Sequence, residues 1–110
     1  MGKLTTHVLD TANGRPGAGI TIEVFILDKS DWRPLKTVKT NADGRTDGPL
    51  LEGGAFSAAT YELVFHVGPY FGQQGFLDQI PVRFTIRDPA AHYHVPLLCS
   101  PWSYTTYRGS

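Results

Sequence analysis

An all-β sandwich is the fold that this 110-residue sequence predicts. Three observations lead there. No helical period persists over a useful length, whereas short stretches alternate apolar and polar residues with a period of two. Clusters of Gly, Pro, Asn and Asp cut the chain between those stretches. Eight such strands leave little room for the crossover helices that a parallel α/β architecture needs.

The elements follow in order. Lys3 to Leu9 reads as a first strand, and "NGRPGAG" (Asn13 to Gly19) is turn chemistry, its glycines free to take positive φ. "ITIEVFILD" (Ile20 to Asp28) is a second strand, "SDW" a turn and "PLKTVKT" a shorter third strand. "NADGR" (Asn41 to Arg45) is another turn, and Arg45 to Asp47 opens a short fourth strand. "TYELVFHV" alternates most cleanly, with Tyr61, Leu63, Phe65 and Val67 on one face and Glu62, Val64 and His66 on the other. "GPYFGQQG" has room for one short helical turn with Pro69 near its start. "IPVRFTIRD" is a sixth strand, "HYHVPLL" a seventh and "SYTTYR" an eighth. Pro96 cannot donate to a ladder, so the seventh is expected to be an edge or interrupted strand.

Composition narrows the function classes. Ten basic and ten acidic residues cancel, so no basic face argues for nucleic acid and no acidic block is present. A chain of this size buries roughly two-thirds of its unfolded surface, enough for one core without staples. Cys99 is the single cysteine and lies in an apolar run, where a buried, inert thiol is expected. No apolar run approaches the roughly 20 residues of a membrane span. The start "MGKLTTHVLD" has no secretory h-region and no "SKL" follows Arg108, so the expected compartment is the cytosol, with the peroxisome left open.

The ionisable residues carry the chemistry. There are four histidines: His7, His66, His92 and His94. His66 shares its face with Glu62, the solvated side of its strand. On an ideal strand His7 shares a face with Lys3, Thr5 and Leu9, opposite Leu4, Thr6 and Val8. His92 and His94 likewise share a face. His-x-His plus a distant histidine has the donor set of a zinc site, although alternating histidines on a strand are a weak signal. Nothing supports a Ser-His-Asp triad, since no Gly-x-Ser-x-Gly turn occurs, and there is no Gly-rich phosphate loop. Arg45 sits just beyond a turn and Arg108 near the end of the sequence.

"THVLDTANGRPG", "TNADGRTDG" and "HYHVPLLCSPWSYTTYRGS" closely resemble the signatures of the 5-hydroxyisourate hydrolase family, the transthyretin-related enzymes of urate breakdown. The resemblance covers essentially the whole chain, and the three motifs occur in order. Transthyretin itself shares the "LLSP-x-SY" pattern but lacks the histidine at the position of His7, the arginine at Arg45, the second histidine at His94 and the "YRGS" ending. The one departure is Cys99, where the family usually has leucine.

The resemblance implies a single transthyretin-like hydrolase domain over residues 1–110. Its fold would be an eight-stranded sandwich of two four-stranded sheets, with one short helix after the fifth strand. It implies a homotetramer, a dimer of dimers with active sites in the channel between dimers, and a cofactor-free reaction with no metal. The implied reaction opens 5-hydroxyisourate, by hydrolysis of its N1–C6 amide bond, to 2-oxo-4-hydroxy-4-carboxy-5-ureidoimidazoline on the way to allantoin. His7 and His94 are the implied acid and base, in an order left open, and Arg45 stabilises the oxyanion. His7 and Arg45 also contact substrate, with Tyr107, Ser110 and Arg108 orienting the ring; Arg108 has tail anchoring as its other role. His92 is either a support for His94 or a structural residue. The alternative is a transthyretin-like carrier holding a flat aromatic ligand in the same channel without turnover.

Overall fold

The computed structural model describes residues 2–110. Strands β1 (Lys3–Asp10), β2 (Arg15–Pro16), β3 (Thr21–Asp28), β4 (Asp31–Lys39) and β5 (Leu51–Glu52) are followed by a turn of 3-10 helix at Gly53–Ala55. Then come β6 (Ala59–His66), helix α1 (Val67–Tyr70), β7 (Gln79–Ile86), β8 (His92–Cys99) and β9 (Tyr104–Thr106). One sheet runs β2-β1-β8-β9, with β5 pairing the start of β1; the other runs β4-β3-β6-β7. The sandwich is therefore as expected, but its first sheet has five strands because two of them are two-residue pairings too short to show a period.

Alternation builds the core. Leu4 and Val8 from β1, and Tyr93, Val95, Leu97 and Cys99 from β8, face Ile22, Val24, Leu63, Phe65, Ile80 and Val82 of the other sheet. Burying a side chain such as Leu63, which has no exposed surface, contributes about 1.5–3 kcal/mol. Tyr61, Leu63, Phe65 and Val67 are all fully buried, as the period of that stretch requires.

Three boundaries differ from the sequence reading, each for a local reason. Arg45 to Asp47 is not a strand. The chain stays in a tight turn there, with Gly44 at φ +75° and the Asn41 N–H donating to the Arg45 carbonyl at 2.7 Å. The third strand begins earlier, at Asp31, because Lys29 takes φ +61° and closes a two-residue hairpin that pairs Asp28 with Asp31. The last strand stops at Thr106.

Strand β8 is not an edge strand. It lies between β1, which it pairs in parallel along its whole length, and β9. Pro96 instead interrupts the β9 side. The carbonyls of His94 and Pro96 both accept from the C-terminal segment, from Gly109 N–H at 2.7 Å and Thr106 Oγ1 at 2.8 Å, so the N–H that Pro96 lacks would have faced that segment. The tail leaves the ladder after Thr106 and rejoins it at Gly109.

Helix α1 is short because Gly68 and Pro69 occupy it and Gly72, at φ +79°, follows. It is tied down by Tyr70, whose hydroxyl donates to the buried Asp10 carboxylate at 2.7 Å. Asp10 also accepts from the Ala12 and Asn13 N–H groups and from Asn13 Nδ2. Burial pushes the Asp10 carboxyl up, but these hydrogen bonds outweigh it and hold the group below its usual range. Cys99 is buried, and burial pushes its thiol up to about 11, the inert state expected of it.

Candidate active site

The site lies on the outer face of the five-stranded sheet. In β1 the inward positions are Leu4, Thr6, Val8 and Asp10, so Lys3, Thr5 and His7 point outward. The parallel register sets Lys3 beside His92, Thr5 beside His94 and His7 beside Pro96. Two sequence-distant strands thereby place Lys3, Thr5 and three imidazoles on one surface.

The loop between β4 and β5 supplies the arginine. It runs along the edge of β1 away from β8, between the short pairings with β2 and β5, held by Val8 N–H to the Gly44 carbonyl at 2.8 Å and Leu50 N–H to the Leu4 carbonyl at 2.8 Å. Gly44 is required in this turn: beyond its positive φ, a Cβ there would stand 2.3 Å from the Val8 carbonyl oxygen. Asn41 Oδ1 accepts from both the Asp43 and Arg45 N–H groups and shapes the turn that delivers Arg45.

A cavity of about 440 Å³ results, lined by Lys3, Thr5, Arg45, His92, His94 and Ser110, with the Thr46–Pro49 loop at its rim. Arg45 and Lys3 make it electropositive, suited to a small ligand rich in carbonyl oxygen or negative charge. His94 is half-buried there. Its Nδ1 meets Thr5 Oγ1 at 2.8 Å, and its Nε2 has no hydrogen-bond partner among the described residues. Burial first, and then the positive Arg45, hold the His94 imidazole below its ordinary value, with His92 and His7 adding to the effect. Gly109 packs on the same ring; a Cβ there would lie 2.6 Å from His94 Cδ2.

The other residues singled out by sequence fall as follows. His7 stands on the same face of β1 but does not line the cavity, and its Nε2–H donates to the Asp43 carbonyl at 2.8 Å. A carbonyl can only accept, so in the neutral ring Nδ1 carries the lone pair. Ser110 lines the cavity. Tyr107 does not; with Arg108 it lines a separate cavity of about 230 Å³ at the open edge between the sheets, beside Val82, Tyr93 and Val95. The Arg108 guanidinium stacks over the Tyr93 ring at 4.0 Å and donates to the His92 carbonyl at 3.3 Å, an anchor for the tail. His66 is on the outer face of the other sheet, 2.6 Å from Glu23 Oε1.

Among the described residues no three His, Cys, Asp or Glu side chains converge as a metal ligand set. Lys3 and Thr5 are site residues that motif reading passed over; the alternation of β1 put them on the face of His7, but only strand pairing shows that they meet His92 and His94.

Fold and cavity define a two-sheet sandwich carrying a histidine–arginine pocket on its outer face. The HIUase/Transthyretin family model matches residues 4–109, and the chain belongs to that family. It is 54% identical to "5-hydroxyisourate hydrolase 2" of Rhizobium meliloti, over 99% of this chain and 97% of that one. It is 55% identical to the 5-hydroxyisourate hydrolase of Ralstonia nicotianae over the full length of both. Among solved structures, an (S)-allantoin synthase superposes with a TM-score of 0.93 at 47% identity, covering 99% of this chain and 44% of that one. The 5-hydroxyisourate hydrolase of Klebsiella pneumoniae gives 0.86 at 29% identity over all of both chains. Sea bream transthyretin in complex with thyroxine gives 0.90 at 28% identity, covering 97% and 94%.

Proposed function

We infer that the protein is a 5-hydroxyisourate hydrolase, an enzyme that opens a cyclic amide in urate degradation. The observation that carries this reading is His94, its Nδ1 held by Thr5 and its Nε2 without a partner among the described residues, in one cavity with Arg45. Hydrolysis needs a base for water, a donor for the carbonyl oxygen as it becomes an oxyanion, and a proton for the leaving nitrogen. Held largely neutral by its surroundings, His94 takes the proton of the water that attacks C6. The Arg45 fork receives the oxyanion. His94 or His7 returns a proton to N1 as the C6–N1 bond breaks, and Ser110 orients the ring. Lys3 adds positive potential for the carboxylate that appears in the product. A carrier of flat aromatic ligands suits the cavity less well, since its lining is charged and polar rather than apolar.

The active form is proposed as a homotetramer in which neighbouring subunits close the site. Exposed Tyr107, Tyr104, Trp102 and Phe76 support this, being large apolar side chains left to solvent by one chain. Tyr107, turned away from its own cavity, is then placed to contact substrate held by a neighbour. The proposed compartment is the cytosol; no helix among the described residues is long and apolar enough to cross a membrane.

Freshly generated 5-hydroxyisourate decays on its own with an ultraviolet absorbance change. Dilute protein is expected to accelerate that decay, and His94→Ala and Arg45→Ala to lower kcat/KM by at least about 100-fold each. His66→Ala is expected to change it by less than about threefold. No acceleration by folded protein overturns the reading.

A further inference from the structure

We propose that His92, Thr5 and His94 form a proton relay in which the Thr5 hydroxyl passes protons between His94 in the cavity and His92 at the surface. The relay thereby sets the tautomer that His94 shows to the substrate. The proposal deepens the hydrolase reading and rests on it for the identity of the reacting groups.

The geometry is direct. Thr5 Oγ1 lies 2.8 Å from His94 Nδ1 and 2.8 Å from His92 Nε2, and no other group bonds to it among the described residues. A hydroxyl has one proton. With that proton engaged in one of the two contacts, Thr5 donates to one ring and accepts an N–H from the other. Two arrangements satisfy this. In the first, His94 Nδ1–H donates to Thr5, Thr5 donates to His92 Nε2, and His94 Nε2 is a bare lone pair, the base form. In the second every bond is reversed, and His94 carries its proton on Nε2, the acid form.

Catalysis converts one into the other. His94 Nε2 takes a proton from the attacking water, whose oxygen bonds to the carbonyl carbon. His94 gives its Nδ1 proton to the Thr5 oxygen, and the Thr5 proton moves to His92 Nε2. The positive charge now sits on His92, which is exposed, rather than on His94 beside Arg45, where burial and the guanidinium disfavour it. When the C6–N1 bond breaks, the Nε2 proton of His94 goes to the leaving nitrogen and the relay runs back through Thr5. The water proton ends on N1 and every ring is restored. The β-branched Thr5 suits the post, because its χ1 is stiff and holds the oxygen between the rings.

Side-chain nitrogen NMR of the histidines, without substrate, and steady-state kinetics test the relay together. In the native protein the tautomers of His92 and His94 should be coupled, with His94 protonated at Nδ1 where His92 Nε2 is bare, or the reverse. Thr5→Val, which keeps the shape and removes the hydroxyl, should uncouple them and lower kcat about 10-fold or more with KM changed less than about threefold. Thr5→Ser should restore both. Thr5→Val with native kcat and unaltered coupling overturns the relay. If Thr5→Val does not fold by circular dichroism, His92→Ala at its exposed position takes its place, and native kcat there overturns the relay equally. Failure of the hydrolase reading is distinguishable, because it shows as no turnover by the native protein whatever the NMR coupling.

Discussion

At the scale of single residues, the site depends on how closely two small groups approach His94. Thr5 fixes one nitrogen and Gly109 covers the ring. Gly109→Ala would drive a methyl to 2.6 Å from His94 Cδ2, so either the imidazole or the tail must move. The expected result is a folded protein with kcat/KM reduced about 10-fold or more, since a misplacement of 1 Å at a reacting group costs on the order of 100-fold. A native rate for this variant would mean that the ring has room to yield. The pH profile reports on the same residue. Burial and Arg45 favour the neutral imidazole, so the base form persists below the ordinary pH of 6.5, and protonation removes it only at lower pH. In Thr5→Val, where no relay moves the charge away from His94, the acid limb of kcat/KM should therefore have its midpoint below 6.5. A midpoint above that value would assign the limb to another group.

At the scale of elements, Asp10 joins three pieces: the end of β1, the Ala12–Asn13 turn and helix α1. Tyr70→Phe removes one donor from a buried carboxylate and should cost about 1.5–3 kcal/mol in urea denaturation at neutral pH. The Asp10 carboxyl is held below 3.8, so the stability it contributes is present above that pH and is lost as pH falls through the lower folded value. The difference between Tyr70→Phe and the native protein should shrink over that acidic range; a constant difference would show that Tyr70 acts by packing.

Legibility in the sequence also divides by element. Period-two alternation sorted Leu4, Thr6 and Val8 from Thr5 and His7, because a strand's faces are a local property. The parallel pairing of β1 with β8, which joins residues 89 apart such as Thr5 and His94, has no local signature. Arg45 is identifiable from its motif and Asn41 to Arg45 reads correctly as a turn, whereas Arg45 to Asp47 reads wrongly as a strand because the loop runs on past the Asn and Gly that signal it. The outward course of Tyr107 follows from the donor missing at Pro96, which acts across a ladder rather than along the chain.

At the scale of the molecule, the sandwich of one chain leaves Phe76, Trp102 and Tyr107 more than half exposed, at 77%, 67% and 57%. Assembly would cover such side chains. Sedimentation velocity at micromolar concentration should show a tetramer, and dilution to dissociation should lower activity per subunit, because the proposed site takes contacts from neighbours. A fully active monomer would assign the whole site to one chain.

The alternation of β1 and β8 also has a historical reading. Lys3, Thr5, His7, His92 and His94 stand on the side of the sheet that the core does not use, while Leu4, Val8, Tyr93 and Val95 make the core. Substitutions that change the outer surface leave cohesion almost untouched. A lineage built on this sandwich could exchange ring-opening chemistry for ligand carriage, as the fold shared with sea bream transthyretin at 28% identity illustrates, without passing through an ancestor unable to fold.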